Sequence, residues 1–179
     1  TMWKDPLTQD LKPVVQQLEK LKHIGCAFAR FAVPNEEGAQ YLIQLEKDSP
    51  LPLVADIHFD YRLALLCIRG GIQKVRINPG NIGARWKVEE VIRAATDFNV
   101  PIRVGVNSGS LPKDLQQEPD IANAMVRAAE REMEIFQQLN YQSIVFSLKA
   151  SDINTTVRAN ELFAEKYVYP LHLGVTEAG

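Results

Sequence analysis

Six short apolar runs end in polar residues spaced two apart, and this pattern limits the chain to few folds. The runs occupy positions 28–33, 53–58, 75–78, 102–107, 144–149 and 171–175, and four of the six carry a cation: Arg30, Arg76, Arg103 and Lys149. Side chains two apart on a strand share a face. Asp56 therefore points with His58, Arg76 with Asn78, Arg103 with Asn107, and Ser147 with Lys149. Buried parallel strands are normally apolar on both faces. Here one face carries charge, which costs stability unless a ligand or partner answers it. The pattern predicts a site assembled strand by strand.

Between the runs lie segments with helical periodicity. Leu11, Val14, Val15, Leu18 and Leu21 predict a helix over 8–23, and Gly25 suits the position just past its end. Asn35 caps a helix expected through 44, with Glu36 and Glu37 in its first turn, where the helix dipole favours anions. Asp60 caps the next, which stops at Gly70 and Gly71, and further helices are expected over 88–98, 121–139 and 152–165. Pro52, Pro101 and Pro170 each stand immediately before an apolar strand start. Proline there presets an extended backbone and needs no hydrogen-bond donor. The three read as the bottom rim of a repeating unit.

Strand–helix alternation argues for a parallel sheet with right-handed crossovers. An open doubly wound sheet binds its ligand at one switch point, fed by a glycine-rich first turn. No Gly-x-Gly-x-x-Gly follows the first run, and every run ends in polar residues, which fits the mouth of a barrel. The expected fold is α/β, a TIM-type (β/α)8 barrel that is incomplete here. About six strand–helix units are expected, with the first and last strands missing. On this reading residues 1–179 are one partial barrel and the chain is a fragment.

A formal net charge of −2 gives no general pull towards nucleic acid or an anionic membrane. The strand-end cations are then a local concentration, suited to a small anionic ligand. Cys26 and Cys67 match no Cys-x-x-Cys or metal-ligand spacing, so they predict free thiols in a reducing compartment and no metal site. Neither a signal peptide nor an apolar run approaching about 20 residues is present. A cytoplasmic protein is expected, with no membrane and no nucleic acid among its partners.

The segment from Asn78 to Gly83 follows a strand end and holds two glycines, whose backbone freedom can aim successive N–H groups at an anion. Residues 107–110, Asn-Ser-Gly-Ser, repeat the idea one unit later. Arg76 and Arg103, placed just before these turns, suit bidentate recognition of phosphate oxygens, and one of the cations can be neutralised by Asp56. His58 on the face of Asp56 serves either proton transfer or hydrogen bonding. His172 faces inward by the same parity, and His23 is expected at the surface. Lys149 is either a phosphate ligand or a Schiff-base lysine, its pKa depressed by nearby arginines. Asp152 is a helix cap, and Glu177, just past the last run, is either an acid–base residue or a loop residue.

The wording of five segments, 53–62, 76–83, 103–111, 147–152 and 171–179, resembles the bacterial 4-hydroxy-3-methylbut-2-enyl diphosphate synthases in order and register. The resemblance implies an oxidoreductase of non-mevalonate isoprenoid biosynthesis that opens the ring of 2-C-methyl-D-erythritol 2,4-cyclodiphosphate by two-electron reduction. It implies a substrate-binding barrel, a C-terminal iron–sulfur domain with a three-cysteine 4Fe-4S cluster, flavodoxin or ferredoxin as electron donor, and a homodimer. The cluster ligands are not in this chain, so the chain alone is expected to be inactive. By motif match Arg30, Arg76, Arg103 and Lys149 are the phosphate-binding cations, Asp56, His58, Asn78 and Asn107 complete the pocket, and Glu177 with His58 stands near the reacting centre. Two rivals stay open: a pterin-binding transferase-like barrel, and a non-catalytic fragment completed by a partner chain.

Overall fold

The computed structural model describes residues 10–174, so Glu177 lies outside the described residues. Along them run α1 (Lys12–His23), β1 (Ala29–Ala32), α2 (Glu36–Asp48), β2 (Leu53–Ile57), α3 (Tyr61–Arg69) and β3 (Lys74–Ile77). There follow a short α4 (Pro79–Ile82), α5 (Arg85–Asp97), β4 (Ile102–Asn107), a 3-10 turn (Ser108–Ser110), α6 (Ile121–Gln138), β5 (Ile144–Lys149) and α7 (Ile153–Lys166). The strands form one parallel sheet in the order β1-β2-β3-β4-β5. A doubly wound sheet reverses its order at a switch point. Here each strand adds to the same edge, which is the wall of a TIM-type barrel.

The two faces of that wall differ as the sequence parity requires. The outward residues Phe31, Leu53, Ala55, Ile57, Val75, Ile77, Ile102, Val104, Ile144 and Phe146 are buried in the core beneath the helices. The inward residues form rungs across the strands. Asp56, Arg76, Arg103 and Val145 lie side by side in register, with Arg30, Val54 and Lys74 on the rung below. One step above the charged rung, Gly105 pairs with Ser147, and Asn107 pairs with Lys149 at the top.

The expected caps form. Asn35 Oδ1 accepts from Gly38 N at 2.9 Å, Asp60 Oδ1 from Arg62 N at 3.0 Å, and Asp152 Oδ2 from Thr155 N at 2.7 Å. Gly25 takes a positive φ of 92° just past α1. Helix boundaries shift where physics outweighs pattern. Because Pro13 fits only the first turn, α1 begins at Lys12 rather than at 8. Buried Leu45 carries α2 on to Asp48, beyond the expected 44.

Two expectations are corrected. The expected sixth strand is, among the described residues, a single parallel bridge between Phe146 and Leu171, with His172 N donating to the Phe146 carbonyl at 2.8 Å. The segment after Asn78 is a helical turn rather than an open nest. The Asn78 carbonyl accepts from the N–H groups of Asn81 and Ile82, and the Pro79 carbonyl from that of Gly83. Three donors expected to face an anion are thereby used within the turn.

The prolines open the ladders as a bottom rim should. Ala29 N donates to the Pro52 carbonyl at 3.2 Å, Val75 N to Pro101 at 3.2 Å, and Phe146 N to Pro170 at 2.9 Å.

Candidate functional site

Asp56 is the one carboxylate among the residues of the five strands, and it is 2% exposed. A buried carboxylate persists only when paired. Arg76 Nη1 donates to its Oδ1 at 2.9 Å, while Arg30 Nε and His58 Nε2 each lie 3.5 Å from Oδ2. Three strand-derived cationic or titratable groups thus converge on one acid. His58 stands just past the end of β2, with its side chain 46% exposed at the mouth and its ring 6.0 Å from that of Phe59.

Arg103 has no such partner. It is 5% exposed, no carboxylate lies within ion-pair distance of it among the described residues, and its Nε is buried without an acceptor. Burial, then Arg30 and Arg76, push its pKa down to about 10, with Asp56 acting in opposition. Lys149 is half-buried and makes no hydrogen bond or ion pair among the described residues. Its pKa is lowered first by burial and only then by Arg103, Arg30 and Arg76, so the expected arginine effect is real but secondary.

A cavity of about 180 Å³ opens beside these groups, lined by Phe28, Arg30, Val54, Lys74, Arg103, Lys149 and His172. Lys74 was missed in the sequence because the apolar run was counted from Val75. Its spacing of two from Arg76 gave the signal. Its ammonium lies 5.6 Å from the Phe28 ring centre, and burial followed by Arg103 lowers its pKa. Among the described residues of the strands the inner face therefore carries five cations (Arg30, Lys74, Arg76, Arg103, Lys149) against the single carboxylate of Asp56. His172 lines the same cavity, and its pKa is pushed down to about 4 by burial and by Arg103, Lys149, Arg30 and Lys74. A small anion entering this space meets Arg103 and Lys149, which have no carboxylate partner among the described residues.

Polar residues above the cations close the upper rungs. Asn78, 5% exposed, donates from Nδ2 to Ser110 Oγ at 3.2 Å, and Ser110 Oγ donates to the Asn107 carbonyl at 3.4 Å. The turns after β3 and β4 are thereby tied together. Ser147 Oγ donates to the His172 carbonyl at 3.1 Å, so it holds the segment after α7 rather than facing a ligand. A larger depression of about 600 Å³ lies between α2 and α3, outside the inner face of the sheet, and its Asp60–Arg62 pair at 2.8 Å neutralises itself.

The cysteines do not fit an iron–sulfur group. Thiolates are its ligands. Cys67 is fully buried among the apolar residues of α3, with its thiol pushed up to about 12, and Cys26 is half-buried before β1. Among the described residues no group of three or more His, Cys, Asp or Glu side chains could hold a metal ion. No helix among them is long and apolar enough to cross a membrane.

Comparison with known proteins bears on this geometry. The sequence profile of the GcpE TIM-barrel domain matches residues 1–179. The 4-hydroxy-3-methylbut-2-en-1-yl diphosphate synthase (flavodoxin) of Treponema denticola is 47% identical over 202 aligned positions, covering 100% of this chain and 52% of that protein. The protein of the same name from Thermodesulfovibrio yellowstonii is 50% identical over 174 positions, covering 96% of this chain and 50% of its own length. The chain thus spans about half the length of the curated relatives it matches. Among solved structures, a Yersinia pestis dihydropteroate synthase bound to a sulfonamide drug superposes with a TM-score of 0.63 at 12% identity, over 91% of this chain and 66% of that one. That likeness is one of fold.

Proposed function

The chain belongs to the GcpE TIM-barrel family, and from that premise we propose that it is the substrate-binding barrel of a 4-hydroxy-3-methylbut-2-en-1-yl diphosphate synthase. The single observation that carries the reading is Arg103, a buried cation that has no carboxylate partner among the described residues, whose inner sheet face holds five cations and one acid. A diphosphate answers that excess. The proposed substrate is 2-C-methyl-D-erythritol 2,4-cyclodiphosphate, and the reaction is its two-electron reductive ring opening.

In this reading Arg30, Arg76, Arg103 and Lys149 bind the diphosphate oxygens, with Arg76 and Arg30 fixed in place by Asp56 through charge-assisted hydrogen bonding and ion pairing. Asn78 and Asn107 shape the rim through Ser110. His58, held beside Asp56 at the mouth, and Glu177 are the proposed acid–base residues. Neither Cys26 nor Cys67 is a proposed ligand of the 4Fe-4S cluster. Flavodoxin is the proposed electron donor, following the relatives' name, with a homodimer as the proposed assembly and the cytoplasm as the proposed location. The pterin-transferase reading gains only the fold, from a superposition at 12% identity.

Calorimetric titration of the full-length protein with the cyclic diphosphate, at low and moderate salt, tests the proposal. Saturable binding that weakens with salt is expected, as screening reduces exposed charge attraction. Absence of heat at either salt would remove it.

A further inference from the structure

Gly105 sits in the middle of β4, paired with Ser147 and buried, on the inward face between Arg103 and Asn107. Glycine inside a strand weakens it, and its use there commonly marks a close approach by another group. Its backbone does not require glycine, since positive φ values occur at Gly25, Gly71 and Gly83 and not here. Space does require it. A Cβ at 105 would lie 2.8 Å from Arg76 Nη2, 3.0 Å from Nε and 3.3 Å from Cζ. The guanidinium turns its Nε–Nη2 edge to the strand, with Nε buried and without an acceptor, while Nη1 holds Asp56 on the far side. Arg76 is therefore clamped from two directions, by a carboxylate on β2 and by a missing side chain on β4.

Gly174 repeats the arrangement. A Cβ there would lie 2.8 Å from Lys149 Nζ and 3.3 Å from Cε, again with no positive φ to demand glycine. The sequence places a glycine between apolar residues in both cases, Val104-Gly105-Val106 and Leu173-Gly174-Val175.

We propose that Gly105 and Gly174 are positioning residues for the anion site, whose absent side chains set the depth at which the Arg76 guanidinium and the Lys149 ammonium present themselves to the ligand. This rests on the diphosphate reading and adds two residues that touch no ligand. A methyl at 105 displaces a guanidinium that cannot yield without loosening its bond to Asp56. A methyl at 174 displaces an ammonium that no carboxylate anchors among the described residues, so its effect is smaller.

The test is a thermodynamic cycle in the full-length protein, with inorganic pyrophosphate as the calorimetric probe. Gly105→Ala is expected to weaken pyrophosphate by about tenfold, the size of a modest overpacking penalty. In an Arg76→Lys background the same substitution is expected to change affinity by less than about twofold, because no guanidinium edge then meets position 105. A purely structural role would weaken binding equally in both backgrounds, and that result, or unchanged affinity in Gly105→Ala, overturns the proposal. Should Gly105→Ala fail to fold, Gly174→Ala decides: about threefold weaker binding is expected, and wild-type affinity overturns the proposal. Failure of the diphosphate reading is distinct, since Arg103→Ala would then bind pyrophosphate as the wild type does, or the wild type would not bind it.

Discussion

The two sides of the lumen are charged alike but resolved differently. On the β1–β3 side Arg30, Arg76 and His58 share Asp56, and the cluster is closed within the protein. On the β4–β5 side Arg103 and Lys149, with Lys74 beneath, have no carboxylate among the described residues. A closed cluster stabilises a fold and fixes geometry. An open one stores unfavourable self-energy that a ligand releases, which is how binding gains strength without new contacts to the scaffold. The first side is scaffold for the second.

Breaking the closed side carries the largest expected effect. Asp56→Asn leaves buried Arg76 and half-buried Arg30 without the acid they share, and loss of one partner of a buried pair costs about 3–5 kcal/mol. Urea unfolding reads it, and a loss under about 1 kcal/mol would mean that water already screens the cluster.

Breaking the open side should separate binding from stability. Arg103→Ala is expected to cost about 1.5–3 kcal/mol of pyrophosphate or substrate affinity, the range for hydrogen bonds to charged groups. Arg103→Met, of similar length, should hold or raise the unfolding free energy by roughly 1 kcal/mol, since it removes a buried charge without a partner. Arg76→Ala should lose both affinity and stability. Equal stability loss in Arg103→Met and Arg76→Ala would erase the distinction between the sides.

The smallest effect concerns protons. His172 is held down to about 4, below its ordinary value of 6.5, so its neutral form is the folded form. Its contribution to stability is present above 6.5 and is lost as the pH falls from there through about 4. An anion among Arg30, Lys74, Arg103 and Lys149 should raise that value. Binding at a pH near 5 is therefore expected to take up a proton, visible as heats that differ between buffers of different ionisation enthalpy. Identical heats in the His172→Gln variant and the wild type would assign the uptake elsewhere.

Parity was enough to read the wall and most of the site. Alternation alone placed Asp56, Arg76 and Arg103 on one face, and capping chemistry placed the starts of α2, α3 and α7. Three features were not legible, each for a physical reason. Which cation Asp56 neutralises depends on rotamers reaching across strands, and it holds two rather than one. The turn after β3 looked open because its glycines permit a nest, yet its N–H groups close a helical turn instead. Gly105 gave no sign at all, since its meaning lies in a side chain from another strand.

The prolines at the rim have a consequence for how the barrel is assembled. Alternation cannot tell the correct register from one slid by two residues, because every side chain would still face its proper way. Such a misthreaded wall would be almost as apolar outside and as cationic inside, with its rungs mismatched. If β2 slid towards its C-terminal end by two, Pro52 would take the place of Val54, which pairs with Arg30. It would bring no N–H where the ladder needs one. Pro101 imposes the same veto where β3 meets β4, and Pro170 where β5 meets Leu171. Three residues outside the strands thereby proofread alternate seams of the wall, among them the one on which Arg76 meets Arg103.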